Sequence, residues 1–390
     1  MIIGVPKETF QGERRVALVP SLIPSLTKAG AEVVVESGAG VAAGFSDGDY
    51  EGASARILPT RAEVFSSADA IFQVRTVGAN PEDGAGDFDL FRPDQVLIGF
   101  AEPLTALEEM KRLAEKKVTS FALELIPRIS RAQSMDALSA MATVAGYKAV
   151  LLAADHFARL FPMMMTAAGT ITPARVLVVG AGVAGLQAIS TARRLGALVS
   201  AYDIRPVAKT EVESLGAKFV ELEIESEGSQ DSGGYAKAQS EDFYRKQQEL
   251  LGNAVAESDI VITTAAVPGK KAPVLISGEV VSRMAAGSVI VDLAAERGGN
   301  CEPTVAGKTI DHDGVSVLGP VNIASEIPAT ASQLYAKNIT TLFLHLFKDG
   351  KVEIDPEDPI SQESLVTHGG EVVNSRVRDL IDPPPAESNG

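Results

Sequence analysis

The segment RVLVVGAGVAG, Arg175–Gly185, restricts the fold more than any other stretch of the 390-residue chain. An apolar run suited to a buried strand leads into Gly180, Gly182 and Gly185, spaced G-x-G-x-x-G, and then into an apolar helix-forming stretch. In a strand–turn–helix unit the first glycine makes the tight turn. The second lets the backbone approach a pyrophosphate, and the third lets helix and strand pack closely. The amides at the helix start, with their partial positive charge, then face the phosphates. A second strand, LVSAYD, ends in Asp203, 18 residues after the last glycine. A carboxylate there accepts the ribose hydroxyls of adenosine and repels a 2′-phosphate, which favours NAD over NADP. Arg205, two residues on, pulls weakly the other way, because arginine welcomes a phosphate. The competing reading is a packing turn in an α/β domain that holds no nucleotide. A similar string, ESGAGVAAG at Glu36–Gly44, has one residue too many between its later glycines and no apolar helix behind it. It reads as a strand-to-loop turn.

Around the motif, short apolar runs alternate with amphipathic stretches. Strands are expected at Ile2–Val5, Glu32–Glu36, Ala70–Val74, Val96–Phe100 and Val118–Ala122, then at Arg175–Val179, Leu198–Tyr202, Lys218–Leu222, Asp259–Thr264, Ser288–Asp292 and Val315–Leu318. Helical segments lie between them. The alternation predicts an α/β fold of two doubly wound parallel-sheet, Rossmann-like domains. Two long helices should join them: one from Met135 to about Leu160, ended by Pro162, and one at Ala329–Phe347. The expected division is 1–134 with 327–390 as the first domain, 135–165 as the linking helix and 166–326 as the dinucleotide-binding domain.

Thirty-five Lys and Arg against 51 Asp and Glu give a net charge of −16, which repels nucleic-acid backbones. A single cysteine, Cys301, excludes a disulfide framework and a cysteine-rich metal site. The N-terminus lacks the apolar stretch of a secretory signal, and no run of about 20 apolar residues marks a membrane span. Residues 223–240, EIESEGSQDSGGYAKAQS, are too polar to bury. They read either as a solvated connection or as a lid whose Tyr235 contacts a ligand.

Arg128–Ser139, RISRAQSMDALS, gathers Arg128, Arg131, Gln133, Ser134, Asp136 and Ser139 where the long helix starts. It reads as a helix N-terminus with Ser134 as cap and Asp136 in the first turn. It also reads as a polar cluster at an interdomain cleft, where an amide such as Gln133 bonds a nicotinamide carboxamide. The four histidines, His156, His312, His345 and His368, all lie beyond residue 155. His156 and His345 fall on the long helices and read as packed or solvated.

Taken with GVPKE at Gly4–Glu8, ERRVAL at Glu13–Leu18, YDIRP at Tyr202–Pro206, SGGYAK at Ser232–Lys237 and VDLAAERGGN at Val291–Asn300, these strings make the chain resemble the NAD(H)-binding alpha subunit of proton-translocating NAD(P) transhydrogenase. The resemblance implies a chain that binds NAD(H) and a partner subunit that binds NADP(H). Hydride passes directly between the two, coupled by membrane subunits to proton translocation. It implies a homodimer without a membrane span of its own, cytoplasmic and peripheral on the inner face of the bacterial inner membrane. Position by position, it implies a nicotinamide site of Arg128, Gln133, Asp136 and Ser139, a mobile-loop tyrosine at Tyr235, and dinucleotide contacts at Gly180, Gly182, Val183, Gly185, Asp203, Arg205, Gly234, Gln247 and Ala266. The sequence Ala266-Val267-Pro268-Gly269 departs from the Leu-Ile-Pro-Gly of many members.

Alanine dehydrogenase shares the GVPKE…RVAL start and gives an alternative. That resemblance implies an arginine, a lysine and a histidine that bind pyruvate and donate a proton. Arg15 matches the arginine, Arg75 stands at the lysine position, and GFAEPL near Phe100–Glu102 has no histidine. A third reading is a non-catalytic NAD-sensing module.

Overall fold

Short runs rich in valine and isoleucine form most strands of two large sheets. The structure, a computed structural model, describes residues 1–221, 241–266 and 270–382, with the side chains of 241–247 outside that description. The chain divides into one compact unit of Met1–Met141 with Ser325–Gly390 and a second of Ala142–Ala324.

In the first unit, parallel strands lie in the order Arg56–Leu58, Glu32–Glu36, Ile2–Val5, Ala70–Arg75, Val96–Phe100, Thr119–Ala122. This is the doubly wound 3-2-1-4-5-6 arrangement. Leu365–His368 and Glu371–Val372 extend it as an antiparallel pair. Between them Gly369 and Gly370 both adopt positive φ, 61° and 93°, the backbone that a two-residue hairpin needs. Neither this hairpin nor the short strand Arg56–Leu58 is predicted by the apolar pattern.

The second unit repeats the order with Lys218–Phe219, Leu198–Tyr202, Arg175–Val179, Ile260–Thr263, Val289–Asp292 and Val315–Leu318, all parallel. An antiparallel edge strand, Thr309–His312, joins Val315–Leu318 through Asp313-Gly314, again with positive φ at both residues. Both faces of the sheet are covered. Val176, Val178, Ile260 and Ile262 pack to one side, and Leu177, Val179, Val261 and Ile290 to the other. Continuous apolar strands have this consequence in parallel sheets, and each such side chain contributes about 1.5–3 kcal/mol of burial.

Asp259 fastens the amino-terminal ends of the central strands. Its carboxylate accepts the Arg175 amide at 2.8 Å and pairs with the guanidinium groups of Arg175 and Arg159. Burial acts to raise its pKa, but these donors outweigh that and hold it below the usual value.

The first long helix is Ala137–His156, shorter than expected at both ends. Residues Ser130–Met135 form a 3-10 turn instead. Asp136, rather than Ser134, caps the helix: its carboxylate accepts the Ser139 amide at 2.8 Å and the Ser139 hydroxyl at 2.6 Å. Beyond His156 the chain turns in to bury Phe157 and Phe161, whose rings meet edge-on at 6.2 Å. Among the described residues this helix is long and apolar enough to cross a membrane. Here it is packed against the dinucleotide-type sheet unit. Ala149, Val150 and Ala153 belong to that core, and a Cβ on Gly146 would stand 2.1 Å from the Ala184 carbonyl. The second long helix is Pro328–Leu346. Residues Met164–Thr166 and Gly169–Ile171 form an exposed hairpin that the apolar pattern does not foretell.

Candidate functional site

Strand Arg175–Val179 ends in Gly180, whose φ of 97° lies in the left-handed region that favours glycine. The turn passes Ala181 and reaches Gly182, the N-cap of helix Val183–Arg194. Gly185 faces back toward the turn, where a Cβ would stand 1.9 Å from the Gly180 carbonyl oxygen. At Gly182 the reverse holds, for a Cβ there would meet no atom of the described residues within 4 Å. Among the described residues no side chain caps this helix, so its first-turn amides keep donors that the helix itself does not satisfy. Short helices elsewhere are capped by Ser46, Thr60, Asp358 and Asn374. A glycine cradle over uncapped amides suits a pyrophosphate in shape and charge.

The second strand brings Asp203 to the same turn, buried to 9 % exposure. One carboxylate oxygen accepts the Ala181 amide at 2.7 Å and Arg205 Nη2 at 3.0 Å. The other accepts the Arg205 amide at 2.8 Å and Arg205 Nε at 2.9 Å. The two residues that the sequence set in opposition thus form an ion pair, and the Asp203 carboxylate raises the pKa of Arg205. A ribose would take over acceptor positions that Arg205 now fills.

Across the switch point, strand Ile260–Thr263 is followed by Thr264, whose hydroxyl donates to the Gly180 carbonyl at 2.9 Å. Ala266, exposed, follows it. The loop is held by a network that no motif disclosed. The Asn300 side chain accepts the Ala265 amide at 3.0 Å and donates to the Ala265 carbonyl at 2.8 Å. Fully buried Asp292 in turn accepts the Asn300 amide at 2.7 Å and the Thr263 and Thr304 hydroxyls. Both residues lie in VDLAAERGGN, so the string marks loop support. Gly234 and Tyr235 lie outside the described residues, and Gln247 lies on helix Glu241–Ala256 with its side chain outside them.

In the first unit Arg128 and Gln133 are exposed, and Asp136 and Ser139 are half-buried. Gln133 sits on the 3-10 turn, one residue from Ala132 and two from Met135, both of which are buried.

The sequence matches the family models described as Alanine dehydrogenase/PNT, N-terminal domain, over residues 4–145 and Alanine dehydrogenase/PNT, C-terminal domain, over residues 149–375. It is 46% identical over 377 residues to an NAD(P) transhydrogenase alpha-subunit chain of Rhodospirillum rubrum, covering 96% of this chain and 98% of that one. The chain belongs to the NAD(P) transhydrogenase alpha-subunit family. A transhydrogenase structure from Sinorhizobium meliloti superposes with a TM-score of 0.85 at 44% identity, covering 96% of this chain and all of that one. An L-alanine dehydrogenase structure is more distant in sequence, with a TM-score of 0.81 at 27% identity over 98% of this chain and 99% of that one. As a transhydrogenase alpha-subunit homologue, the chain is an oxidoreductase component with a Rossmann-like nucleotide-binding unit.

That relationship gives meaning to the charges at the switch point of the other sheet. Arg15, 4 % exposed, lies bidentate on Glu13, with Nε–Oε1 at 2.7 Å and Nη2–Oε2 at 2.6 Å. Arg75 Nε stands 3.4 Å from the same carboxylate and its guanidinium lies 4.1 Å from the Phe10 ring centre. Burial acts to raise the pKa of Glu13, but the bonds and charge of Arg15 bring it down to about 2. Glu8 accepts the Val74 amide at 2.6 Å and the Arg75 amide at 3.2 Å, while burial and then the charge of Glu13 push it up to about 8. Arg15, expected from the sequence at a pyruvate-binding position, holds an internal carboxylate instead. His368 bonds Thr119, His345 bonds Asp358, His312 bonds Gly278 and His156 bonds Leu152, so each ring has a neighbour within the chain.

Proposed function

We propose that this chain binds NAD(H) in its second unit and takes part in direct hydride transfer with NADP(H) held by a partner subunit, coupled to proton translocation across the membrane. The observation that carries the binding is the glycine cradle: among the described residues nothing stands over Gly182, and no side chain caps the helix start beside it. The bound dinucleotide supplies the hydride at its dihydronicotinamide carbon. The first-turn amides and Gly180, Gly182, Val183 and Gly185 hold the pyrophosphate, and Asp203 accepts the adenosine ribose hydroxyls once Arg205 turns aside. Gly234, Gln247 and Ala266 add contacts. Arg128, Gln133, Asp136 and Ser139 orient the carboxamide, and Tyr235 closes over the ligand. None of these groups relays a proton, since hydride passes from one nicotinamide to another by positioning. Activity then requires the partner. The chain works as a homodimer on NADP(H)-binding and membrane subunits, peripheral to the cytoplasmic face of a bacterial inner membrane, with the Re/Si-specific stereochemistry of that enzyme type.

Replacing Gln133 with Ala tests the assignment. Stopped-flow transfer to an NADP analogue on an added NADP(H)-binding component should slow by about 100-fold with NADH affinity unchanged. Transfer at wild-type speed would remove Gln133 from the site. Two observations weigh against an alanine dehydrogenase: Arg15 is occupied by Glu13, and Phe100–Glu102 offers no histidine.

A further inference from the structure

We propose that Asp358 and Asn338 are positioning residues that fix Gln133 by tethering the residues on either side of it, one through the Arg131 guanidinium and one through the Ser134 carbonyl. The inference rests on the function proposed above, in which Gln133 orients the nicotinamide.

Six residues, Ser130–Met135, form the 3-10 turn. Such turns have poor hydrogen-bond geometry and rarely hold more than three or four residues unaided. Ala132 and Met135 are buried and anchor one side of the turn, while Arg131, Gln133 and Ser134 lie exposed on the other. The exposed side is held at two points. Before Gln133, Arg131 Nη2 donates to Asp358 Oδ1 at 2.7 Å. After it, the Ser134 carbonyl accepts from Asn338 Nδ2 at 3.0 Å. Both partners lie more than 200 residues further along the chain.

Both tethers have rigid bases. Asp358 caps helix Pro359–Ser364, and its Oδ2 accepts the Ser361 amide at 3.0 Å, the Ser361 hydroxyl at 3.1 Å and His345 Nε2 at 2.8 Å. Burial acts to raise the Asp358 pKa, but the bonds from His345 and Ser361 bring it down to about 2, so it stays charged toward Arg131. His345 and Asn338 lie on the same helix, Pro328–Leu346. Asn338 is 7 % exposed, and among the described residues its Oδ1 finds no donor. Its amide is therefore placed for Ser134 at the cost of an unsatisfied acceptor, which a residue kept only for stability would avoid. Hydride transfer demands this stiffness, because a misplacement of about 1 Å costs up to about 100-fold in rate.

The test uses single-turnover transfer between NADH on the full chain and an NADP analogue on an NADP(H)-binding component. Asp358→Asn, Asn338→Ala and Arg131→Gln are each made alone and on Gln133→Ala. Arg131 is more than half exposed, so its variant removes one tether while Asp358 keeps its bonds to His345 and Ser361. Each tether variant should slow transfer by about tenfold with NADH affinity unchanged, and should slow it no further once Gln133 is gone. Transfer at wild-type speed, or the same slowing on the Gln133→Ala background, overturns the proposal. Wild-type transfer by Gln133→Ala itself is a different result, for it overturns the role of Gln133 and the function with it.

Discussion

The three glycines of the turn should fail in different ways when each receives a methyl group. At Gly182 the added Cβ meets nothing within 4 Å among the described residues, and φ of −73° suits alanine. Losing a glycine from the unfolded chain stabilises by about 0.4–1 kcal/mol, and alanine is the poorer N-cap by a similar amount, so the net change is near zero. The methyl group nevertheless stands where the pyrophosphate must approach. At Gly185 the Cβ would lie 1.9 Å from the Gly180 carbonyl oxygen, so helix and turn must separate by about 1 Å. Overpacking of this kind costs about 1–3 kcal/mol, and the helix propensity of alanine returns about 1 kcal/mol of it. At Gly180 a positive φ and a contact of 2.6 Å with the Thr264 hydroxyl act together. Thermal unfolding and NADH titration by fluorescence separate the cases. Gly182→Ala should keep the wild-type melting temperature and lose at least about tenfold in NADH affinity. Gly180→Ala and Gly185→Ala should lose stability first. If Gly182→Ala melts as early as Gly185→Ala, or binds NADH as wild type does, the open space is not the pyrophosphate's and the reasoning is wrong.

Three further outcomes follow from the charges. Asp203→Asn should weaken NADH by about tenfold or more while leaving NADPH little changed, narrowing the selectivity measured by parallel titrations. Glu8 keeps its proton in the folded protein up to about pH 8, against 4.5 for the free side chain. The folded state thus binds more protons than the unfolded one in that window, and stability falls as pH rises through it. Urea unfolding should show this fall in the wild type and a flatter profile in Glu8→Gln. Finally, the purified chain with pyruvate, ammonia and NADH should oxidise no NADH, because Glu13 already fills the Arg15 fork; turnover in that assay would restore the alanine dehydrogenase reading.

Both halves of the α/β architecture were legible because parallel strands buried on two faces are written as continuous apolar runs, and Ile2–Val5, Arg175–Val179 and Leu198–Tyr202 have the bounds the sequence predicts. Edge hairpins escaped, since Thr309–His312 and Glu371–Val372 carry mixed side chains. Their turn signals, Asp313-Gly314 and Gly369-Gly370, were nonetheless in plain view. The sequence puts the cap two residues early, at Ser134, because Ser134 and Asp136 are both good capping residues and only the 3-10 turn decides between them. At the candidate site, the glycine spacing declared the cradle through local chain geometry. The Asp203–Arg205 pair, the Asn300 brace and the Asp358 tether were not readable, since each depends on side chains that meet only after the sheets form.

The Asp259 clamp has a consequence for ligand response. Arg159 and Arg175 lock the sheet at the end remote from Gly180, whereas the end bearing Gly180, Thr264 and Ala266 is joined by hydrogen bonds that can exchange partners. The nucleotide-binding half is therefore anchored at one pole and adjustable at the other. Amide deuteration around Arg175 and Ile260 should proceed at one pace with or without nucleotide, while protection gathers at the opposite rim. Arrival of the dinucleotide is in this way a local event, its work confined to the rim that meets the ligand.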